Sequence, residues 1–110
     1  MKIQRIFRSI AFLPALLVST YSYAEVVWID VRTLMEQSLD SIDGDIRIGY
    51  SEIIPQVEKL FPDKNTAIRL YCRSGGRAGT AEQALKQAGY TDVENIGGIS
   101  DARKYRHIEE

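Results

Sequence analysis

Residues 67–79, Ala67-Ile68-Arg69-Leu70-Tyr71-Cys72-Arg73-Ser74-Gly75-Gly76-Arg77-Ala78-Gly79, pass from an apolar run into a loop rich in glycine and arginine. Cys72, the only cysteine of the 110-residue chain, stands at the junction. The run Ala67–Tyr71 predicts a strand. Beyond the loop, Ala81, Ala84, Leu85 and Ala88 recur at i, i+3, i+4 and i+7, which predicts an amphipathic helix ended by Gly89. Two starts are open for that helix. It can begin near Arg77, or at Thr80, which forms a capping-box pattern with Gln83.

The same alternation extends in both directions. Val26–Asp30 is a β-branched and aromatic run, read as the first strand. Thr33 with Glu36 three residues later opens a short helix carrying Leu34, Met35 and Leu39. Residues 41–49 are polar and Gly-punctuated, with room for a brief strand at Ile46–Ile48. A helix follows from about Ser51 to Phe61, its Ile54, Val57, Leu60 and Phe61 at helical spacing. Pro55 fits only its first turn, and Pro62 stops it. After a turn at Asp63–Asn65 and the central strand–loop–helix come a short strand at Val93–Ile96 and a polar final helix over Ser100–Glu110. Strands alternating with helices predict an α/β sandwich around a small, mostly parallel sheet. Ligands of such sheets bind at the carboxyl ends of the strands, where Cys72 is expected.

The amino terminus reads as a secretory leader over 1–24. Lys2, Arg5 and Arg8 precede a short apolar run, Ile10–Val18, and Ser22 and Ala24 occupy the small-residue positions before a cut. The run is too short for a bilayer, which takes roughly 20 apolar residues. The expected mature chain is one domain, 25–110, in the periplasm. The leader holds three of the 14 basic residues and none of the 15 acidic ones, so the mature chain is net acidic. No Lys/Arg block remains, and nucleic-acid binding is excluded on that ground. One cysteine and one histidine cannot furnish the three or four protein ligands of a zinc site, so no metal is expected. His107 reads as solvated, and Trp28 and Tyr71 as core.

An exported protein with one cysteine holds it for intermolecular pairing or for chemistry. As a small buried hydrophobe, Cys72 would be unremarked. Its neighbours argue otherwise. Ser74, Gly75 and Gly76 let the chain curl with its N–H groups turned inward, a nest opening into a helix N-terminus. Such a field favours thiolate over thiol, and Arg73 and Arg77 add positive charge. The segment predicts an activated nucleophile in an anion-binding cup.

CRSGGR, after an apolar strand and before a helix ending in AGY, resembles the active-site loop of rhodanese-type sulfurtransferases. Trp28–Arg32, WIDVR, resembles the first-strand signature of that family, and Pro62–Ile99 follows its second half almost continuously. Leader and size match the single-domain periplasmic members of the phage-shock type. The resemblance implies a rhodanese-like three-layer sandwich. It implies that Cys72 takes a sulfane sulfur as a persulfide, with thiosulfate as donor and cyanide or a thiol as acceptor. It further implies that Arg73, Ser74, Gly75, Gly76 and Arg77 bind the substrate, without cofactor or metal, in a monomer or weak dimer that does not attach to membrane once the leader is cut. Asp30 and Arg32 match signature residues that are mainly structural. Ser41–Gly49 departs from the family's usual His-Ile-x-Gly-Ala-x-Asn-Ile-Pro stretch, and no tryptophan follows the double glycine Gly97-Gly98; both bear on the pocket wall.

Two other classes use a reactive thiol. A cysteine-dependent phosphatase or arsenate reductase typically separates Cys and Arg by five residues; Cys72 and Arg77 have four between them, and Tyr71 stands where those loops carry His. A persulfide carrier or thiol sensor would load sulfur once without turnover.

Overall fold

The computed structural model of the chain describes residues 25–109. The leader expected over 1–24 lies outside the described residues. Strand β1, Val26–Asp30, pairs in parallel with β2, Ile46–Arg47, on one side and with β3, Ala67–Cys72, on the other. β3 pairs in parallel with β4, Asp92–Gly98, giving the order β2-β1-β3-β4. All four strands run the same way, as parallel crossovers through helices require.

The helices cover both faces. Helix α1, Leu34–Leu39, follows β1; α2, Ile53–Leu60, follows a 3₁₀ turn at Tyr50–Glu52; α3, Gly76–Gln87, follows the Cys72 loop; α4, Ile99–Arg106, follows β4. Side chains alternate across a strand. Ile29, Ile68 and Leu70 therefore face one side, where they pack with Ile53 and Val57 of α2, Ala78, Ala81 and Leu85 of α3, and Val93. Tyr71 faces the other side with Ile42, Ile99 and Ala102, flanked by Trp28 and Ile96. Cys72 returns to the first face by the same alternation and closes that core at its upper end. The three-layer α/β sandwich is present.

Several boundaries moved, each for a local reason. α3 begins at Gly76, one residue before Arg77, so the early start holds and the Thr80 one does not. Gly75 sits at φ +105°, a left-handed conformation glycine takes freely, so the loop turns straight into the helix. Thr80 is thereby inside the helix, its hydroxyl 3.4 Å from the Gly76 carbonyl instead of capping a terminus. β4 extends to Gly98, past the expected stop at Ile96, because Tyr71 and Cys72 continue the ladder to Gly97 and Gly98. The final helix ends at Arg106, where His107 turns left-handed and the Ile108 N–H bonds the Arg103 carbonyl. Gly89 stops α3 as expected: Gly89 N–H reaches the Lys86 carbonyl and Tyr90 N–H the Leu85 carbonyl, closing the last turn.

Three arginine–aspartate pairs brace the second face. Arg32 grips Asp30 at 2.9 and 2.8 Å, and also bonds the Asp40 carbonyl. Arg103 reaches the Asp40 carboxylate, and Arg106 the Asp45 carboxylate, which also accepts from the Tyr71 hydroxyl at 2.6 Å. The Arg106 guanidinium lies 4.2 Å from the centre of the Trp28 ring. These bonds assign Asp30 and Arg32 to the scaffold.

Leu85 is fully buried where α3 meets the sheet. Leu85→Ala should cost about 2–5 kcal/mol through lost burial and a residual cavity. Urea denaturation of the two proteins should show a lower midpoint with an unchanged slope.

Candidate active site

The β3 ladder carries Cys72 to the carboxyl edge of the sheet, and Gly75 turns the chain so that α3 points its N-terminus back at the sulfur. The Gly75 N–H donates to Cys72 Sγ at 3.0 Å. Burial pushes the thiol pKa up, but the backbone N–H groups of Ala78, Ser74, Gly75 and Arg77 all favour the thiolate. The amides prevail, and the pKa lies below the ordinary thiol range. Cys72 is 1% exposed, so the sulfur is almost closed off from solvent beneath the loop amides.

The other loop residues divide into rim and support. Arg73, Ser74 and Gly76 are exposed. Arg73 makes no hydrogen bond or ion pair among the described residues, and lines a cavity of about 300 Å³ with Leu39, Asp40 and Ile99. Arg77 is half-buried and forms two parallel bonds to Glu36 of α1, at 2.8 and 2.9 Å. That pairing holds the Glu36 carboxyl far below the usual carboxylate range, helped by the Thr33 backbone N–H, and raises Arg77 further. Glu36 also completes the expected capping box, accepting from Thr33 N–H while Thr33 Oγ1 accepts from Glu36 N–H. One carboxylate thus caps α1 and fastens it to the Cys72 loop.

The atypical 41–49 segment splits between two places. Asp45 turns to Tyr71 and Arg106 behind the sheet. Arg47 donates to the Arg32 carbonyl at 3.0 Å and, with Gly49, Tyr50 and Arg77, lines a cavity of about 260 Å³. Leu34, Met35 and Leu39 of α1 stand 66, 72 and 81% exposed, leaving that rim apolar and open. Among the described residues, no group of three His, Cys, Asp or Glu side chains comes together as a metal site.

Three contributors escaped the sequence reading. Glu36 was legible only as a helix cap, since its partner lies 41 residues away. Asn95 donates to the Gly75 carbonyl at 3.0 Å, and Asp101 accepts from Gly98 N–H at 2.8 Å. The only hint of either was proximity to the double glycine.

This geometry can be set beside known proteins. The rhodanese-like domain model matches residues 15–104. The chain belongs to the rhodanese family. It is 37% identical over 87 residues to the thiosulfate sulfurtransferase PspE of Escherichia coli K12, covering 79% of this chain and 84% of that protein. Among solved structures, a rhodanese with anions from E. coli superposes with a TM-score of 0.64 at 37% identity, covering 70% of this chain and 91% of the other. A rhodanese-like domain protein from Staphylococcus aureus gives 0.62 at 26% identity, covering 78% and 82%. By these relationships the chain is a rhodanese-type sulfurtransferase.

The Glu36–Arg77 pair has a pH signature. A carboxylate depressed by folding contributes stability above its unfolded pKa of about 4.3, and loses it as pH falls toward the native value. Glu36→Gln should therefore lower the urea midpoint at neutral pH and flatten its fall between about pH 5 and pH 2. Equal acid limbs in the two proteins would refute a stabilising pair.

Proposed function

We propose that Cys72 carries sulfur from thiosulfate to cyanide or a thiol by double displacement. The thiolate attacks the outer sulfur of thiosulfate, a Cys72 Sγ–S bond forms, and the S–S bond of the donor breaks with its electron pair leaving on sulfite. Cyanide or a thiolate then attacks the outer persulfide sulfur, and Cys72 departs as thiolate. Each step brings two anions together, which in water would be opposed by Coulomb repulsion. The carrying observation is the cup of amides at the N-terminus of α3, with Gly75 N–H 3.0 Å from Sγ. Fixed N–H dipoles in a largely buried site offset that repulsion without reorganising.

Arg73, Ser74, Gly75, Gly76 and Arg77 divide the binding work. Exposed Arg73, without a partner among the described residues, supports a part in drawing the dianion to the rim. The two hydrogen bonds that Arg77 donates to Glu36 support a positioning part, with most of its charge answered locally. Ser74, Gly75 and Gly76 supply a loop small enough to curl around a sulfur atom. A slim terminal sulfur suits a floor that is 1% exposed better than the centre of a tetrahedral phosphate ester does.

The leader pattern at 1–24 supports export to the periplasm, with 25–110 as the single mature domain acting on small molecules, as a monomer or weak dimer, away from nucleic acid. Among the described residues no helix is long and apolar enough to cross a membrane.

Intact-mass measurement after thiosulfate should show one reducible sulfur adduct on the wild-type protein and none on Cys72→Ala. Thiocyanate should then form over many turnovers, which a carrier loaded once would not do; no adduct on the wild type refutes the mechanism. Arg73→Ala should raise KM for thiosulfate about three- to fivefold, the worth of one exposed ionic contact, with kcat little changed and the difference shrinking in salt.

A further inference from the structure

A second set of contacts joins the Cys72 loop to β4. Asn95 of β4 donates from Nδ2 to the Gly75 carbonyl at 3.0 Å and accepts at Oδ1 from the Gly97 N–H at 2.8 Å. The partners dictate which end of the amide is which, because a carbonyl can only accept and an N–H only donate. The strand pairing slips at this point: Leu70 faces Asn95 but Tyr71 faces Gly97, so Ile96 is an extra residue in β4. Such a bulge re-aims a side chain.

The surrounding space is filled by backbone. A Cβ on Gly75 would lie 3.3 Å from Gly97 Cα, and one on Gly79 would lie 3.3 Å from Asn95 Nδ2. A Cβ on Gly98 would collide with the Arg73 carbonyl. Loop, helix start and β4 therefore meet main chain to main chain, and the Asn95 amide fills the slot between them.

The Gly75 carbonyl also accepts from Gly79 N–H at 2.9 Å, the first hydrogen bond of α3. In a trans peptide the C=O and N–H point opposite ways. Two donors fix that carbonyl in the helical direction and with it the Gly75–Gly76 peptide, which links the Gly75 N–H on Sγ to the Arg77 and Ala78 N–H groups that follow in the first turn. Gly75, at φ +105° and without a Cβ, is where the loop could rotate a peptide most easily. A flipped Gly75–Gly76 peptide would break the first hydrogen bond of α3 and displace the Arg77 and Ala78 N–H groups that follow it.

We propose that Asn95 is a positioning residue for sulfur transfer, locking the Gly75–Gly76 peptide at the turn into α3 and so holding in place the flanking Gly75, Arg77 and Ala78 N–H groups that face Cys72. The proposal rests on Cys72 being the sulfur acceptor. It assigns the amide a job that no isosteric side chain performs. Aspartate would set an oxygen against the Gly75 carbonyl, and alanine would leave carbonyl and Gly97 N–H without this partner.

The test uses the full chain, with Asn95→Ala and Asn95→Asp. Alkylation of Cys72 by iodoacetamide is followed by intact mass across pH, alongside thermal midpoint and steady-state kcat and KM with thiosulfate and cyanide. Both variants should shift the alkylation midpoint to higher pH, slowing the reaction about tenfold at neutral pH, the equivalent of one hydrogen bond. kcat should fall by a similar factor while KM stays within about twofold. A lowered thermal midpoint with an unchanged pH profile overturns the proposal, because it leaves Asn95 a structural residue only. A shift in Asn95→Asp alone overturns it too, since that is the effect of a nearby charge. Should Asn95→Ala fail to fold, Asn95→Leu decides, being uncharged and of similar shape, and an unshifted profile there is again fatal. Failure of the underlying reading looks different: wild-type Cys72 would alkylate normally yet take no sulfur from thiosulfate.

Discussion

The turn at Gly75 is the constraint on which the rest depends. A residue with a side chain would be strained at φ +105° and would press on Gly97, so only glycine brings β3 and α3 together this closely. Closeness is the point. The thiol is buried, and burial alone would keep it protonated and inert. The N–H groups of the loop and first helical turn reverse that, because in a poorly solvated site each dipole acts on the sulfur with little screening.

Around that turn the fold resembles a braced frame more than a large core. A chain of this size buries only about 60% of its unfolded surface. The first face has an apolar core shared by α2, α3 and the sheet. The second has a small cluster around Tyr71, supplemented by Arg32, Arg103 and Arg106 on Asp30, Asp40 and Asp45. Buried ion pairs add less to stability than their number suggests, since desolvation offsets much of the attraction. Their geometry is specific, however. They tie the 40–47 segment and α4 to β1 in one register.

What the sequence disclosed and what it hid follow from the range of each interaction. β1, β3 and the Gly89 stop were legible because β-branched runs and a C-terminal glycine act locally. The place of Cys72 at the end of β3 was legible because an apolar run leads straight into it. The start of α3 was legible only as a choice of two, since Thr80 and Gln83 imitate a cap while the actual turn is made by a left-handed Gly75. The last residues of β4 were hidden because Gly97-Gly98 reads as a break, and only pairing with Tyr71 and Cys72 keeps them in the ladder. Neither the grip of Glu36 on Arg77 nor that of Asn95 on Gly75 leaves a pattern in one sequence. Each joins residues whose separation carries no period.

The cup's positive field is made of main chain, while the side chains of Arg73 and Ser74 stand at its exposed rim. Reactivity and choosiness are therefore written in different alphabets. On the roles proposed for this loop, changing a rim letter alters which molecule is welcomed but leaves intact the peptide groups around the sulfur. A lineage using this scaffold can thus explore new donors and acceptors one residue at a time without passing through an inert intermediate. The glycines behind the loop have no such freedom.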